Sequence, residues 1–194
     1  MKAKILFLIT LMFGSFLGKL FGADVPTAAY KTTDLYSDIR SKILALKSEK
    51  PTDTDATRAI AVLIELGLPQ AVVTLVSYDD GGASMYFSSG GGIIGAGELP
   101  HPEARAASLK LTAAAPSFVS LMTKTEKFPL PQINHTRFYI VTPKGVYTVE
   151  VRSDDLAANN SPLFPFYLLG DKLITQIRLI DEASQKAKAP SKGS

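Results

Sequence analysis

The fold is decided by Ala71-Val72-Val73-Thr74-Leu75-Val76-Ser77-Tyr78, Asp79-Asp80-Gly81-Gly82 and Ala83-Ser84-Met85-Tyr86-Phe87-Ser88, which follow one another directly. The first run is rich in β-branched residues and apolar on both faces, which predicts a central strand. The two aspartates and two glycines predict a tight turn, and the last run predicts a returning strand. The stretch therefore predicts a β-hairpin at the centre of a sheet.

Outward from this hairpin, the same reasoning predicts a second hairpin and four helices. The second hairpin joins Arg137–Thr142 to Val146–Arg152 across Pro143-Lys144-Gly145. Helical spacing and capping residues predict one helix on each of four segments. The first is Thr33–Lys47, with Thr33 as its N-cap and the apolar stripe Leu35, Ile39, Ile43 and Leu46. The others are Asp55–Leu66, a long helix from Pro102 that kinks at Pro116, and a final helix opened by Ser161-Pro162 with the stripe Leu163, Phe166, Gly170, Leu173, Ile177 and Ile180. The order α-α-β-β-α-β-β-α predicts an α+β domain, an antiparallel sheet built from two hairpins with helices packed on it.

The first residues have the pattern of an export signal. Lys2 and Lys4 precede an apolar stretch over Ile5–Leu17, and small residues follow at Gly22 and Ala23. The apolar stretch is shorter than the roughly 20 residues that span a bilayer. We therefore expect residues 1–23 to be a signal peptide, or else an uncleaved membrane anchor. Residues 24–32 are then a linker, 33–183 a single domain and 184–194 a disordered tail rich in Lys, Ala, Pro and Ser.

Composition narrows the class of protein further. Of the 194 residues, 46% are hydrophobic and 20% charged, which is typical of a globular chain. The sequence has no cysteine, which excludes disulfides, zinc–thiolate sites and cysteine nucleophiles. The net charge of +3 owes much to lysines near the two ends, and no clustered basic face with aromatic platforms is visible. We expect an exported, periplasmic or secreted protein that does not bind nucleic acid and contacts membrane only through an uncleaved leader.

One segment is unusual, the glycine-rich run from Ser88 to Gly97. Gly90–Gly95 satisfies G-x-G-x-x-G, but it follows the second arm of a hairpin and no helix begins at once, so a dinucleotide site is disfavoured. One interpretation is a tight structural connection with Ile93 and Ile94 in the core. The other is a nest of exposed amides that binds an anion or a peptide. The candidate ligand-binding residues of this nest are Ser89, Gly90, Gly91, Gly92, Gly95 and Gly97.

Other chemistry-bearing residues give no catalytic or metal signature. His101 and His135 are the only histidines and stand in separate loops, which is at best half a metal site. Asp79-Asp80 and Asp154-Asp155 are adjacent pairs beside turns, where solvated side chains are the usual outcome. We therefore predict no catalytic residue, no metal and no cofactor.

Two resemblances follow from these segments. The order of helices and hairpins over about Asp55–Ala183 resembles the roadblock and profilin-like layout, which implies a non-catalytic scaffolding or regulatory module. The run Tyr86–Gly97, together with Arg137-Phe138-Tyr139 and Ser161–Phe164, is similar to a family of bacterial proteins of unknown function. That similarity covers about Leu63–Arg178 and implies no activity.

Three functions remain as hypotheses. The first is an exported, non-enzymatic module that binds another protein or itself. The second is a small-ligand or anion-binding protein that uses the Gly90–Gly97 loop. The third is an enzyme of a class that the residues do not indicate.

Overall fold

A seven-stranded antiparallel sheet organises the domain, in the strand order β4-β3-β2-β1-β6-β7-β5. The computed structural model describes residues 30–47, 58–97 and 101–188. The strands are β1 Ala61–Gly67, β2 Val72–Tyr78, β3 Ala83–Phe87, β4 Gly92–Ile94, β5 Thr123–Thr125, β6 His135–Thr142 and β7 Gly145–Arg152. The helices are α1 Asp34–Leu44, α2 Pro102–Ala114, a 3-10 helix Ala115–Leu121, α3 Ser153–Ala157 and α4 Phe164–Lys188. The predicted α+β class, with helices on an antiparallel sheet, is confirmed.

Both predicted hairpins are present, β2–β3 and β6–β7. The turn between β2 and β3 is closed by Asp80, whose Oδ1 accepts the Gly82 N–H at 2.7 Å. Thr33 caps α1 as predicted, because its hydroxyl accepts the Tyr36 N–H at 3.2 Å. Local turn and capping chemistry is therefore read correctly from the sequence.

The second predicted helix, Asp55–Leu66, is wrong in the part that the structure describes. Ala61–Gly67 is strand β1, paired with β2 on one side and β6 on the other, and all seven of its residues are buried. In a strand buried on both faces, apolar and polar residues do not alternate. Its sequence pattern therefore resembles that of a buried helix, especially where it contains Ala, Leu and Glu. This strand joins the two hairpins into one sheet. Residues 55–57 lie outside the described residues.

Each face of the sheet has its own core. The larger one lies under α2 and α4, where Leu111, Phe166 and Leu173 pack on strand residues such as Ile64 and Phe138. The smaller one lies under α1, where Tyr36, Ile43 and Leu44 cover Leu63 and Tyr139. Helix α1, of eleven residues, and the loop around Phe128 and Leu130 pack on this second face.

The helices on the larger core differ from prediction mainly at their ends. The long helix ends as an α-helix at Ala114 and continues as a 3-10 helix through Pro116, where a kink was expected. The predicted stripe of α4 is buried from Leu163 through Ile177. That helix runs on to Lys188, beyond the Ser184 at which the tail was predicted to begin.

The two ends of the chain fall mostly outside the description. Residues 1–29, which include the predicted leader and most of the linker, and residues 189–194 lie outside the described residues. No helix in the described part of the chain is long and apolar enough to cross a membrane.

Candidate functional site

The glycine-rich segment forms the turn of a third hairpin, between β3 and β4. The Phe87 N–H donates to the Gly91 carbonyl at 3.1 Å, and the Gly90 N–H donates back to the Phe87 carbonyl at 3.0 Å. Gly90 and Gly91 have φ values of +101° and +84°, which favour glycine. Because this turn joins two antiparallel strands, it lacks the strand-to-helix geometry that a pyrophosphate site requires.

The structure brings only part of the predicted set together. Gly90, Gly91 and Gly92 are exposed and line one wall of a groove, and Ser89 is exposed beside them in the turn. Gly95 and Gly97 lie past the far end of β4. A Cβ at Gly97 would overlap the Gly81 carbonyl oxygen, so this glycine is needed for close packing of two loops.

The two isoleucines of the segment do not behave alike. Strand alternation turns them to opposite faces of the sheet. Ile93 is half-buried and packs on the larger core, whereas the Ile94 side chain is 70% exposed on the face that carries α1. The prediction that both isoleucines are in the core is therefore wrong for Ile94, because α1 does not reach far enough to cover the sheet edge.

A groove of about 190 Å³ separates α1 from this edge. Leu35 and Ile39, one turn apart on α1, form one wall, and Gly90–Gly92 and Ile94 form the other. Tyr36 and Tyr86, whose rings meet edge to face with centroids 5.5 Å apart, lie between the walls. Leu35 is 67% exposed, so both lips of the groove carry an exposed large apolar side chain.

Beneath α1, a row of polar residues crosses the sheet in direct register. Glu150, Arg137, Glu65, Thr74 and Tyr86 are successive cross-strand partners on β7, β6, β1, β2 and β3. Arg137 pairs with Glu150, and the Thr74 hydroxyl lies 3.4 Å from Glu65 Oε1. The row ends at Tyr86, whose buried hydroxyl has no hydrogen-bond partner among the described residues.

Helix α1 binds to this row through two side chains. Arg40 donates from Nε and Nη2 to the two Glu65 oxygens at 2.6 and 2.9 Å, and its remaining donors reach the carbonyls of Phe128 and Pro129. The Tyr36 hydroxyl lies 3.0 Å from the Thr74 hydroxyl. Complete burial raises the pKa of the Glu65 carboxyl, and hydrogen bonds from Arg40 and the charge of Arg137 act in the opposite direction.

The sequence pattern of α1 concealed this arrangement. The stripe predicted from Leu35, Ile39, Ile43 and Leu46 is wrong for Leu35 and Leu46, which are exposed, and the buried side of the helix is Tyr36, Arg40, Ile43 and Leu44. Apolar spacing favoured the neighbouring face because it does not anticipate a buried arginine. A buried charge is retained only with a partner, and the partner of Arg40, Glu65, lies in a segment for which the sequence predicts a helix.

The other candidate residues are dispersed. His101 precedes α2, and His135 begins β6 with its Nδ1 3.0 Å from the Ile133 carbonyl. Among residues 30–47, 58–97 and 101–188, no three His, Cys, Asp or Glu side chains are grouped so that they could hold a metal ion. Asp154 and Asp155 lie in the first turn of α3, and Asp79 contacts Arg58 at 3.3 Å.

Comparisons with family models, with curated proteins and with solved structures each find no match for this chain. The groove and the polar row beneath α1 are the features of this chain from which a function can be inferred.

Proposed function

We propose that this chain is an exported, non-enzymatic protein-interaction module that binds its partner at the groove between α1 and the β3–β4 hairpin. The observation that carries the proposal is the pair of exposed apolar lips, Leu35 at 67% and Ile94 at 70% exposure. Exposed large apolar side chains that flank one groove are a common feature of interaction sites.

The rigid support of the groove is consistent with this role. The Arg40–Glu65 pair and the Tyr36–Thr74 contact fix α1 on the sheet, so the distance between the two walls is set by buried polar contacts. A preorganised groove loses less conformational entropy when a partner binds.

The test is site-specific photocrosslinking in the native host. A photoreactive amino acid at position 35 or 94 should crosslink to the same protein, and the same group at Leu179, 47% exposed on α4, should not. The crosslinked protein is then purified and titrated against wild type and Ile94→Asp, which should bind at least about tenfold more weakly. Equal crosslinking from all three positions, or equal affinity of Ile94→Asp, would refute the proposal.

Export is tested separately. A fusion of residues 1–27 to a reporter that is active only outside the cytoplasm should give signal, and deletion of Ile5–Leu17 should remove it. Recovery of a mature protein that retains Met1 from the soluble cytoplasm contradicts the export proposal.

A small ligand is the second candidate for the same groove, and the buried, unpartnered Tyr86 hydroxyl favours it. An anion fits less well, because Asp34 lies in the first turn of α1 and the Thr33 hydroxyl already caps that turn. A thermal-shift screen of nucleotides, inorganic anions and neutral apolar compounds separates these cases. Stabilisation by an apolar compound in wild type but not in Leu35→Asp favours the small ligand.

A further inference from the structure

The backbone of β4 offers hydrogen bonds on its outer side. In an antiparallel ladder, bonded and non-bonded pairs alternate. The Phe87–Gly91 bond makes Met85–Ile93 the next bonded pair, so Gly92 and Ile94 turn their N–H and C=O groups away from β3. Among the described residues, no strand pairs with this side of β4 and no group bonds these atoms.

This edge differs from the other edge of the same sheet. Natural edge strands are commonly protected by a lysine or a proline. The outer strand β5 carries exposed Lys124, whereas Ser88–Gly97 contains no charged residue and no proline. The β4 edge is thus open to pairing with another strand.

The groove lies beside this open edge, on the side toward which the Ile94 side chain points. A strand added to β4 would place every second side chain on the groove face, outside Ile94 and opposite Gly92. Because Gly92 has no side chain, a large residue opposite it can reach across β4 into the groove toward Tyr86. Main-chain bonds to β4 and alternate side chains in an apolar groove together constitute strand addition, a recurring mode of peptide recognition.

The size and charge of the site indicate what fits. The exposed large apolar side chains at the groove are two, Leu35 and Ile94, and their surface is far smaller than the roughly 800 Å² per partner that a stable dimer or a globular complex needs. None of the groove-lining side chains is charged, so the occupant presents uncharged apolar side chains. We infer that the groove binds an extended, uncharged peptide segment of a partner protein, added as an eighth strand along β4. This inference rests on the proposed function and specifies its partner.

The test uses a phage-displayed library of ten-residue peptides selected on the purified protein, followed by titration of a synthesised winner. Ile94→Pro removes the outward N–H but leaves the Met85–Ile93 bonds, so the fold should persist. The affinity of Ile94→Pro for the peptide should fall about tenfold or more, because the peptide can no longer accept a hydrogen bond from the N–H of residue 94 and the proline ring crowds it. Ile94→Ala keeps the N–H and should weaken binding only a few-fold, and Leu121→Ala, a change at an exposed leucine elsewhere, should have no effect.

Two readouts accompany the titration. The melting temperature of Ile94→Pro should match that of wild type, and the peptide should slow amide exchange at Gly92 and Ile94. Selected peptides should carry apolar residues at every second position.

If Ile94→Pro binds as well as wild type while Ile94→Ala does not bind, strand addition is wrong but the groove still binds a partner. If no peptide is enriched, or if the edge instead pairs two copies of this chain in sedimentation analysis, the inference fails.

Discussion

Arg40 on α1 and Glu65 on β1 form a two-point ion pair inside the domain, with N···O distances of 2.6 and 2.9 Å. Glu65 is completely buried, and the Arg40 guanidinium also lies within 5.3 Å of the Tyr139 ring centre. The pair contributes to where α1 lies on the sheet, and therefore to the width of the groove between α1 and β4.

Removing one member of this pair should be costly. Arg40→Met leaves a buried carboxylate without its partner, and we expect a loss of about 3–5 kcal/mol in the free energy of unfolding. The double variant Arg40→Met with Glu65→Met should recover most of that loss, because neither charge of this pair is then left buried without its partner. Urea denaturation of the single and double variants measures both effects.

The exposed pair Asp38–Lys42 on the same helix provides the control. Its side chains are mostly in solvent, so Lys42→Met should change the free energy of unfolding by less than about 1 kcal/mol. If Arg40→Met costs no more than Lys42→Met, the Arg40–Glu65 pair does not hold α1 in place.

How far the sequence predicts this fold depends on how local the signal is. The Asp79–Gly82 turn, the Thr33 cap and the two hairpins were predicted, because each depends on residues close together in the chain. Strand β1 was not predicted, because its central place depends on pairing with β2 and also with β6, and β6 is distant in sequence. A strand buried on both faces also lacks the alternation of apolar and polar residues that marks a strand in sequence. Long-range pairing decided that element against its local preference.

The site was predicted in part, and for a related reason. The glycine run marked one wall of the groove, since glycines with positive φ leave a clear signature in sequence. The other wall is Leu35, which the helical pattern predicts in the core but which is exposed, and Ile39, which is partly buried against the smaller core. Burial of Tyr36 and the pairing of Arg40 with Glu65, which are distant in sequence and each of a type that is seldom buried, turn Leu35 toward the groove.

Two glycines of the β3–β4 turn should respond differently to alanine. Gly91 has φ +84° with no atom within 4 Å of an added Cβ, so Gly91→Ala carries only backbone strain, about 1 kcal/mol. At Gly92 the same Cβ would come within 2.5 Å of the Met85 carbonyl oxygen and 2.6 Å of Tyr86 Cα. Gly92→Ala should cost about 2 kcal/mol or more. Thermal unfolding of both variants tests the order, and equal losses would contradict the geometry of the turn.

The two isoleucines give a second ordered comparison. Ile94→Ala should change stability by no more than about 0.5 kcal/mol, because the side chain is mostly in solvent. Ile93→Ala removes a half-buried side chain from the larger core and should cost about 1–3 kcal/mol. Ile64→Ala, at a fully buried position on β1, should cost about 2–5 kcal/mol. Chemical denaturation should rank the three in that order, and a large loss at Ile94 would mean that the groove is closed in solution.

Stability should fall at alkaline pH because of buried tyrosines. Burial raises the pKa of Tyr167 to about 12, with Asp171 acting in the same direction, and burial and then Glu150 raise that of Tyr30 to about 12. The unfolded chain loses these protons near pH 10. Between pH 10 and 12 the folded state therefore holds more protons than the unfolded state, and the free energy of unfolding falls as the pH rises. Tyr167, which is buried, contributes at most about 1.4 kcal/mol per pH unit in that window, and the partly exposed Tyr30 contributes less.

Tyr167→Phe isolates one such group. The variant keeps the ring in the core but has no proton to lose, so its free energy of unfolding should fall less steeply between pH 10 and 12 than that of wild type. Tyr147→Phe serves as the matched control, since Tyr147 is only partly buried on β7. Urea titrations at half-unit intervals of pH, with tyrosinate absorbance recorded in parallel, give both the slope and the ionisation. If wild type and Tyr167→Phe show the same slope, the hydroxyl of Tyr167 ionises in the folded state near its ordinary pKa, and the packing described around α4 is incorrect.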